Sequence, residues 1–271
     1  GVGQYPPSFD AAVPRAGLSE LPTPVPMTVA TVFDLASVTK VMATTMAMMV
    51  LTDRSEIDLE APVSRYLTDF AGGGKESITI THLLTHRSGL EQWKPTYYHA
   101  DNTDEAYAYI RELPLAWTPG AERHYSDFGF ILLGRIVEHV SGKPLNDFVA
   151  DEVYTPLGLR TTGYLLTRGP YATTSHGNPF ERRMVYEADF GYQIEGDPTA
   201  WDDWREYSLT GEVNDGNAHH AFGGVAGHAG LFSTASDLSV LLGLGGRVFG
   251  AVMATLPGAQ AQPIPGLDLG N

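Results

Sequence analysis

The chain contains no cysteine. That absence excludes a disulfide framework, a thiolate nucleophile and thiolate metal ligands, and it leaves the redox compartment open. Positive charge is scarce as well: 17 Lys and Arg stand against 32 Asp and Glu, a formal net charge of −15. Such a surface repels phosphate backbones and anionic bilayers, so no nucleic acid partner is expected. Long apolar runs are missing. The most apolar stretch, Val38 to Leu51, includes Lys40 and several threonines and is too short and too polar to cross a bilayer. No charged segment followed by an apolar one opens the chain, and Gly1 is not an obvious native start. No signal peptide is therefore expected within this sequence, and localisation stays open between the cytoplasm and export. Internal repeats and low-complexity tracts are also absent.

What is present describes a globular protein. The 271 residues are 43% hydrophobic and 18% charged, enough to bury a sizeable core. Gly1 to Pro26, rich in Pro, Gly and Ala, reads as an irregular lead-in. Beyond it, Val38, Val41, Met42, Thr45, Met46, Met49 and Val50 recur at helical spacing, with Ser37 at the start of the helix. Asp53 to Glu60 reads as a polar turn. Ile78 to Leu90 predicts a short helix ending at Gly89, and Phe128 to Val140 an apolar helix closed by Gly142 and Pro144. Gly163 to Asn217 is loop-like and carries the cluster Trp201, Asp202, Asp203, Trp204, Arg205 and Glu206. So long an irregular stretch predicts a cover over a substrate cleft. Ser233 to Leu244 predicts a further helix, with Ser236 or Asp237 near its start.

Chemistry enters at Ser37-Val38-Thr39-Lys40. On a helix the three-residue offset places hydroxyl and amine on one face. A lysine in a partly dry pocket can hold a neutral amine, able to take the proton of an attacking serine. The competing reading of Ser37 is a helix N-cap. A second element is Tyr125-Ser126-Asp127, between Trp117-Thr118-Pro119-Gly120 and the apolar helix. A phenol close to a cationic lysine can share its proton and pass one to a leaving group.

The runs Phe33-Asp34-Leu35-Ala36-Ser37-Val38-Thr39-Lys40 and Ile80-Thr81-His82-Leu83-Leu84-Thr85-His86-Arg87-Ser88-Gly89-Leu90 resemble the class C branch of the serine β-lactamase and penicillin-binding-protein superfamily. That branch includes family VIII carboxylesterases and D,D-carboxypeptidases. The likeness continues, in order, through Trp117 to Phe130, Pro156-Leu157-Gly158-Leu159 and Gly223 to Thr234, covering about Phe33 to Leu241. It implies Ser37 as nucleophile, Lys40 as its paired base and Tyr125 as the phenol of a Tyr-x-Asn element. Asp127 departs from that pattern, because a carboxylate cannot donate the amide hydrogen bond an asparagine would. The superfamily's late Lys/His-x-Gly element has no match at its usual place. His228-Ala229-Gly230 has the right letters, and a glycine-rich turn with an incidental histidine competes with a role in the site. The resemblance also implies a helix and a strand hairpin upstream of Gly1.

The fold class that follows is α/β of the α+β kind: an antiparallel sheet flanked by helices, expected to be incomplete in this chain, plus a mainly helical lobe. Residues 1–35 and 221–271 are expected in the sheet lobe, and 36–220 in the helical lobe with its cover at 163–217. The implied activity is a serine hydrolase working through an acyl-enzyme on Ser37, on a small-molecule ester or a D-alanyl peptide. Hydrolysis of β-lactams, or a penicillin-binding or cell-wall-peptide-binding module that does not turn over, are the alternatives. No cofactor is implied, and oligomeric state is open. The densest possible metal cluster is His219, His220, His228, Asp215 and Glu212, but adjacent histidines in a strand point to opposite faces and no ligand spacing is recognisable. No metal is expected.

Overall fold

A computed structural model describes residues 26–187, 194 and 196–243. The proposed lead-in lies almost wholly outside them. Among the described residues, the main helices are α1 (Met46–Asp53), α2 (Ile80–Leu84), α3 (Thr103–Glu112), α4 (Asp127–Ser141), α5 (Leu145–Val149) and α6 (Pro179–Tyr186). Five short strands accompany them: β1 (Phe33–Asp34), β2 (Gly163–Tyr164), β3 (Thr173–His176), β4 (Ser208–Thr210) and β5 (Leu231–Ser233).

The core is organised around α4. Phe128, Ile131, Leu132, Leu133, Ile136 and Val137 are buried on almost every side of it, as expected of a helix that is apolar around most of its circumference. Ser126 caps its start by accepting from Gly129 N–H, and Gly142 ends it in the left-handed region at φ 69°. Small residues decide its neighbours. A Cβ on Gly134 would lie 3.2 Å from Gly227, so the absent side chain lets the segment before β5 cross α4 closely.

One sheet has the order β1-β5-β2, antiparallel throughout, with Phe33 opposite Ser233 and Gly163 opposite Phe232. β3 and β4 form a second antiparallel ladder. This mixture of small antiparallel sheets and many helices is the α+β class read from the sequence.

Three local expectations need correction. The helix expected over Ile78 to Leu90 is only Ile80–Leu84, capped by Thr79, because His86 at φ 58° and Gly89 at φ 79° turn the chain away. The stretch 163–217 is not merely loop: it holds β2, β3, β4 and α6, the last capped by Asn178 with Pro179 in its first turn. Ser233 is the last residue of β5, not a helix residue. The cap that follows is Thr234, whose hydroxyl accepts from Asp237 N–H, while the Asp237 carboxylate accepts from Thr161 and Thr162.

Candidate active site

From Ala36 the chain winds into one helical rod, tight over Ala36–Val38, wider over Lys40–Thr45 and regular along α1. Ala36 enters it at φ 44°, a left-handed conformation that is uncommon without glycine. The turn is held by Asp34, whose Oδ1 accepts from Ala36 N–H at 2.9 Å and whose Oδ2 accepts from Asn214 N–H at 2.7 Å. Ser37 is exposed at the tip, and no side-chain cap holds this turn. Its Oγ instead accepts from Lys40 Nζ at 2.8 Å.

Lys40 is 2% exposed. Its ammonium donates to Ser37 Oγ and to His228 O at 3.3 Å, and it forms an ion pair with Asp127 Oδ1 at 2.7 Å. The same nitrogen lies 4.7 Å from the centre of the Tyr125 ring. Tyr125 immediately precedes the cap of α4 and is half-exposed, while Asp127 is the first residue of that helix, where a carboxylate meets the positive end of the dipole. The helix capping that begins α4 therefore delivers two of the expected site residues to Lys40.

His228 reaches the site twice. Its carbonyl receives Lys40, and its Nε2 lies 2.9 Å from Asp215 Oδ1. Burial disfavours the Asp215 charge, yet His228 and Lys40 outweigh it and hold the carboxyl below its usual range. Gly230 sits at φ 110°, and a Cβ there would meet Gly224 O at 2.3 Å, so its place is a tight backbone turn leading into β5. Of the six candidates, Ser37, Lys40, Tyr125, Asp127 and His228 converge, and Gly230 shapes the backbone beside them.

A cavity of about 310 Å³ opens beside this group, lined by Ala36, Tyr125, Asp127, Glu181, Asn214 and Asp215 among others. Glu181 comes from α6 in the expected cover. It is buried, and its Oε2 accepts from Gly216 N–H at 3.0 Å. Burial, and then the charge of Asp215, raises the Glu181 carboxyl well above the usual glutamate range. The aromatic cluster of the same segment packs inward, with Trp201 4.6 Å from Tyr97 and 4.9 Å from His220 between ring centres. Buried Arg205 pairs with Glu212 at 2.8 Å and donates to Val213 O and Asn214 O, steadying the approach to Asp215.

The metal cluster weighed from the sequence is divided in space: Glu212 is taken by Arg205, His219 and His220 lie ring to ring with His220 facing Asp203 at 3.7 Å, and Asp215 pairs with His228. Asp127, Asp215 and His228 do have ligand atoms within 4.8 Å of one another. The Lys40 ammonium is 2.7 Å from Asp127, so a divalent cation there would face a positive charge already in place.

Sequence reasoning missed several supports. Thr39 Oγ1 accepts from Leu231 N–H at 3.1 Å, Thr44 Oγ1 donates to Gly227 O at 2.6 Å, and His86 packs on Tyr125 at 4.4 Å between ring centres. Nothing in the spacing of these residues signals their partners.

A family profile described as Beta-lactamase matches residues 9–263. The chain belongs to the beta-lactamase family. Within that family it is 33% identical over 243 residues to an N-acetylmuramyl-L-alanine amidase of Bacillus subtilis (strain 168), covering 83% of this chain and 52% of that protein. It is 31% identical over 253 residues to an Escherichia coli (strain K12) protein named "Putative D-alanyl-D-alanine carboxypeptidase", covering 88% of this chain and 56% of the relative. The chain thus spans about half the length of the curated relatives it matches. Among solved structures it is similar to EstCE1, described as a hydrolase with promiscuous acyltransferase activity, at 27% identity and a TM-score of 0.56, covering 80% of this chain and 59% of that one. No helix among the described residues of this beta-lactamase family member is long and apolar enough to cross a membrane.

Proposed function

We propose that this beta-lactamase family chain carries the acylating centre of a serine hydrolase, with Ser37 as nucleophile, Lys40 as base and Tyr125 as proton carrier. The observation that carries the reading is the 2.8 Å contact from Lys40 Nζ to Ser37 Oγ, with the same nitrogen fixed by Asp127 and His228. One proton leaves the Lys40 and Asp127 pair before turnover, so that the neutral amine can accept the Ser37 proton. The Ser37 Oγ then bonds to the acyl carbon of the substrate. The bond to the leaving group breaks, and the leaving group takes a proton relayed through Lys40 and Tyr125. Water, giving its proton to the same pair, hydrolyses the acyl-enzyme and restores the serine.

The preferred substrate is a short-chain ester, followed by a D-alanyl peptide and then a β-lactam. Asp127 supports that order, because an ionised carboxylate accepts but cannot donate a hydrogen bond to an amide carbonyl. The 27% identical hydrolase with acyltransferase activity points the same way. Steady release of p-nitrophenol from p-nitrophenyl acetate, lost in Ser37→Ala, is the expected result. A single stoichiometric burst, with mass added to Ser37 and no turnover, would reassign the chain as a binding module. Absence of both would overturn the reading.

A further inference from the structure

We propose that His86, as a neutral imidazole, is a positioning residue that sets Tyr125 against Lys40; this rests on the Ser37 acyl-transfer reading. His86 brackets Tyr125. Its carbonyl accepts from His124 N–H at 2.9 Å, and its Nδ1 accepts from Ser126 N–H at 3.0 Å. The imidazole face itself packs on the Tyr125 ring at 4.4 Å and 32°, and on Phe130 at 5.2 Å. One residue thus holds the phenol and the chain on either side of it. It does so from a left-handed backbone at φ 58°, a strained conformation for a residue other than glycine that persists only where surrounding contacts demand it.

The contact also fixes the chemical state of the ring. An amide N–H only donates, so Nδ1 must be unprotonated and the neutral ring carries its hydrogen on Nε2. The charged groups around it are Lys40, Arg123 and Asp127. Burial, then Lys40 and Arg123, disfavour the imidazolium, with Asp127 opposing them. A proton on Nδ1 would face the Ser126 N–H, break that bond and release the segment that presents Tyr125.

Two substitutions in the full chain separate the acceptor from the ring. His86→Asn retains an oxygen near the place of Nδ1 and tolerates the left-handed backbone. His86→Phe retains the ring and removes the acceptor. The rate of Ser37 modification by a fluorophosphonate, in which an O–P bond forms and fluoride leaves, is measured across pH. His86→Phe should react roughly tenfold more slowly than the native chain, and His86→Asn within about threefold of it. On acidification the native log rate should fall with a steeper slope than that of His86→Asn, because a proton on the imidazole breaks the Ser126 bond. A purely structural histidine would not produce that difference, and equal slopes overturn the proposal. Imidazole ¹⁵N spectra supply a readout independent of catalysis: an Nε2–H ring with bare Nδ1 at pH 7 is expected, together with Tyr125 ring shifts that move in His86→Phe. If native Ser37 is not modified, the acyl-transfer reading fails. A protonated Nδ1 at pH 7, or an unmoved Tyr125, sinks the His86 assignment separately.

Discussion

Lys40 and Asp127 form a 2.7 Å ion pair in which the side chains are 3% and 15% exposed. Burying two opposite charges costs desolvation, which their attraction and further hydrogen bonds must offset. The hydrogen bonds of Lys40 run to Ser37 and His228, so the pair anchors the amine beside Ser37.

Asp127→Asn should therefore lower kcat for p-nitrophenyl acetate by about tenfold, because the ion pair that anchors the Lys40 amine beside Ser37 is lost while the side chain keeps its size. Steady-state kinetics at one pH check this, and an unchanged kcat would show that the ion pair does not position the amine.

Gly227→Ala tests the close crossing at α4. An added Cβ would lie 2.0 Å from Phe130 O and 3.1 Å from Gly134 N, both backbone atoms that cannot rotate aside. The expected cost is about 2–4 kcal/mol in urea unfolding, with loss of the Thr44 bond to Gly227 O and of activity. Gly142→Ala, whose Cβ meets nothing within 4 Å but whose φ is 69°, should cost only about 1 kcal/mol. Equal losses would mean that the crossing relaxes.

Glu181→Gln tests the buried carboxyl of the cavity wall. Its folded pKa is raised, by burial first and Asp215 second. The native state therefore holds a proton over a range where the unfolded chain releases it, so this group lowers stability as pH rises above the ordinary glutamate value of about 4.3. Glutamine removes that dependence. The Tm advantage of Glu181→Gln should grow between about pH 5 and about pH 8, and a constant difference would contradict the raised pKa.

Much of the site was legible because its parts are local. Ser37 and Lys40 share one helical turn, and Tyr125 and Asp127 flank the serine that caps α4. Asp215 and His86 were not legible in these roles, since a carboxylate 2.9 Å from His228, or a ring on Tyr125, is produced by tertiary packing that no spacing rule encodes. Strands of two to four residues are too short to display alternation, and β5 is buried at every position, so it offers no polar face to read. α6 did carry a start signature, Asn178-Pro179 with Glu181 two residues on, inside a stretch otherwise read as loop.

Thr39, Lys40 and Thr44 grip Leu231, His228 and Gly227 across sequence separations of 192, 188 and 183 residues. Loops of that size close late during synthesis and folding. Ser37 thus emerges from the ribosome long before the segment that completes its surroundings, and a nascent chain cut short of Gly227 would carry the serine without those neighbours.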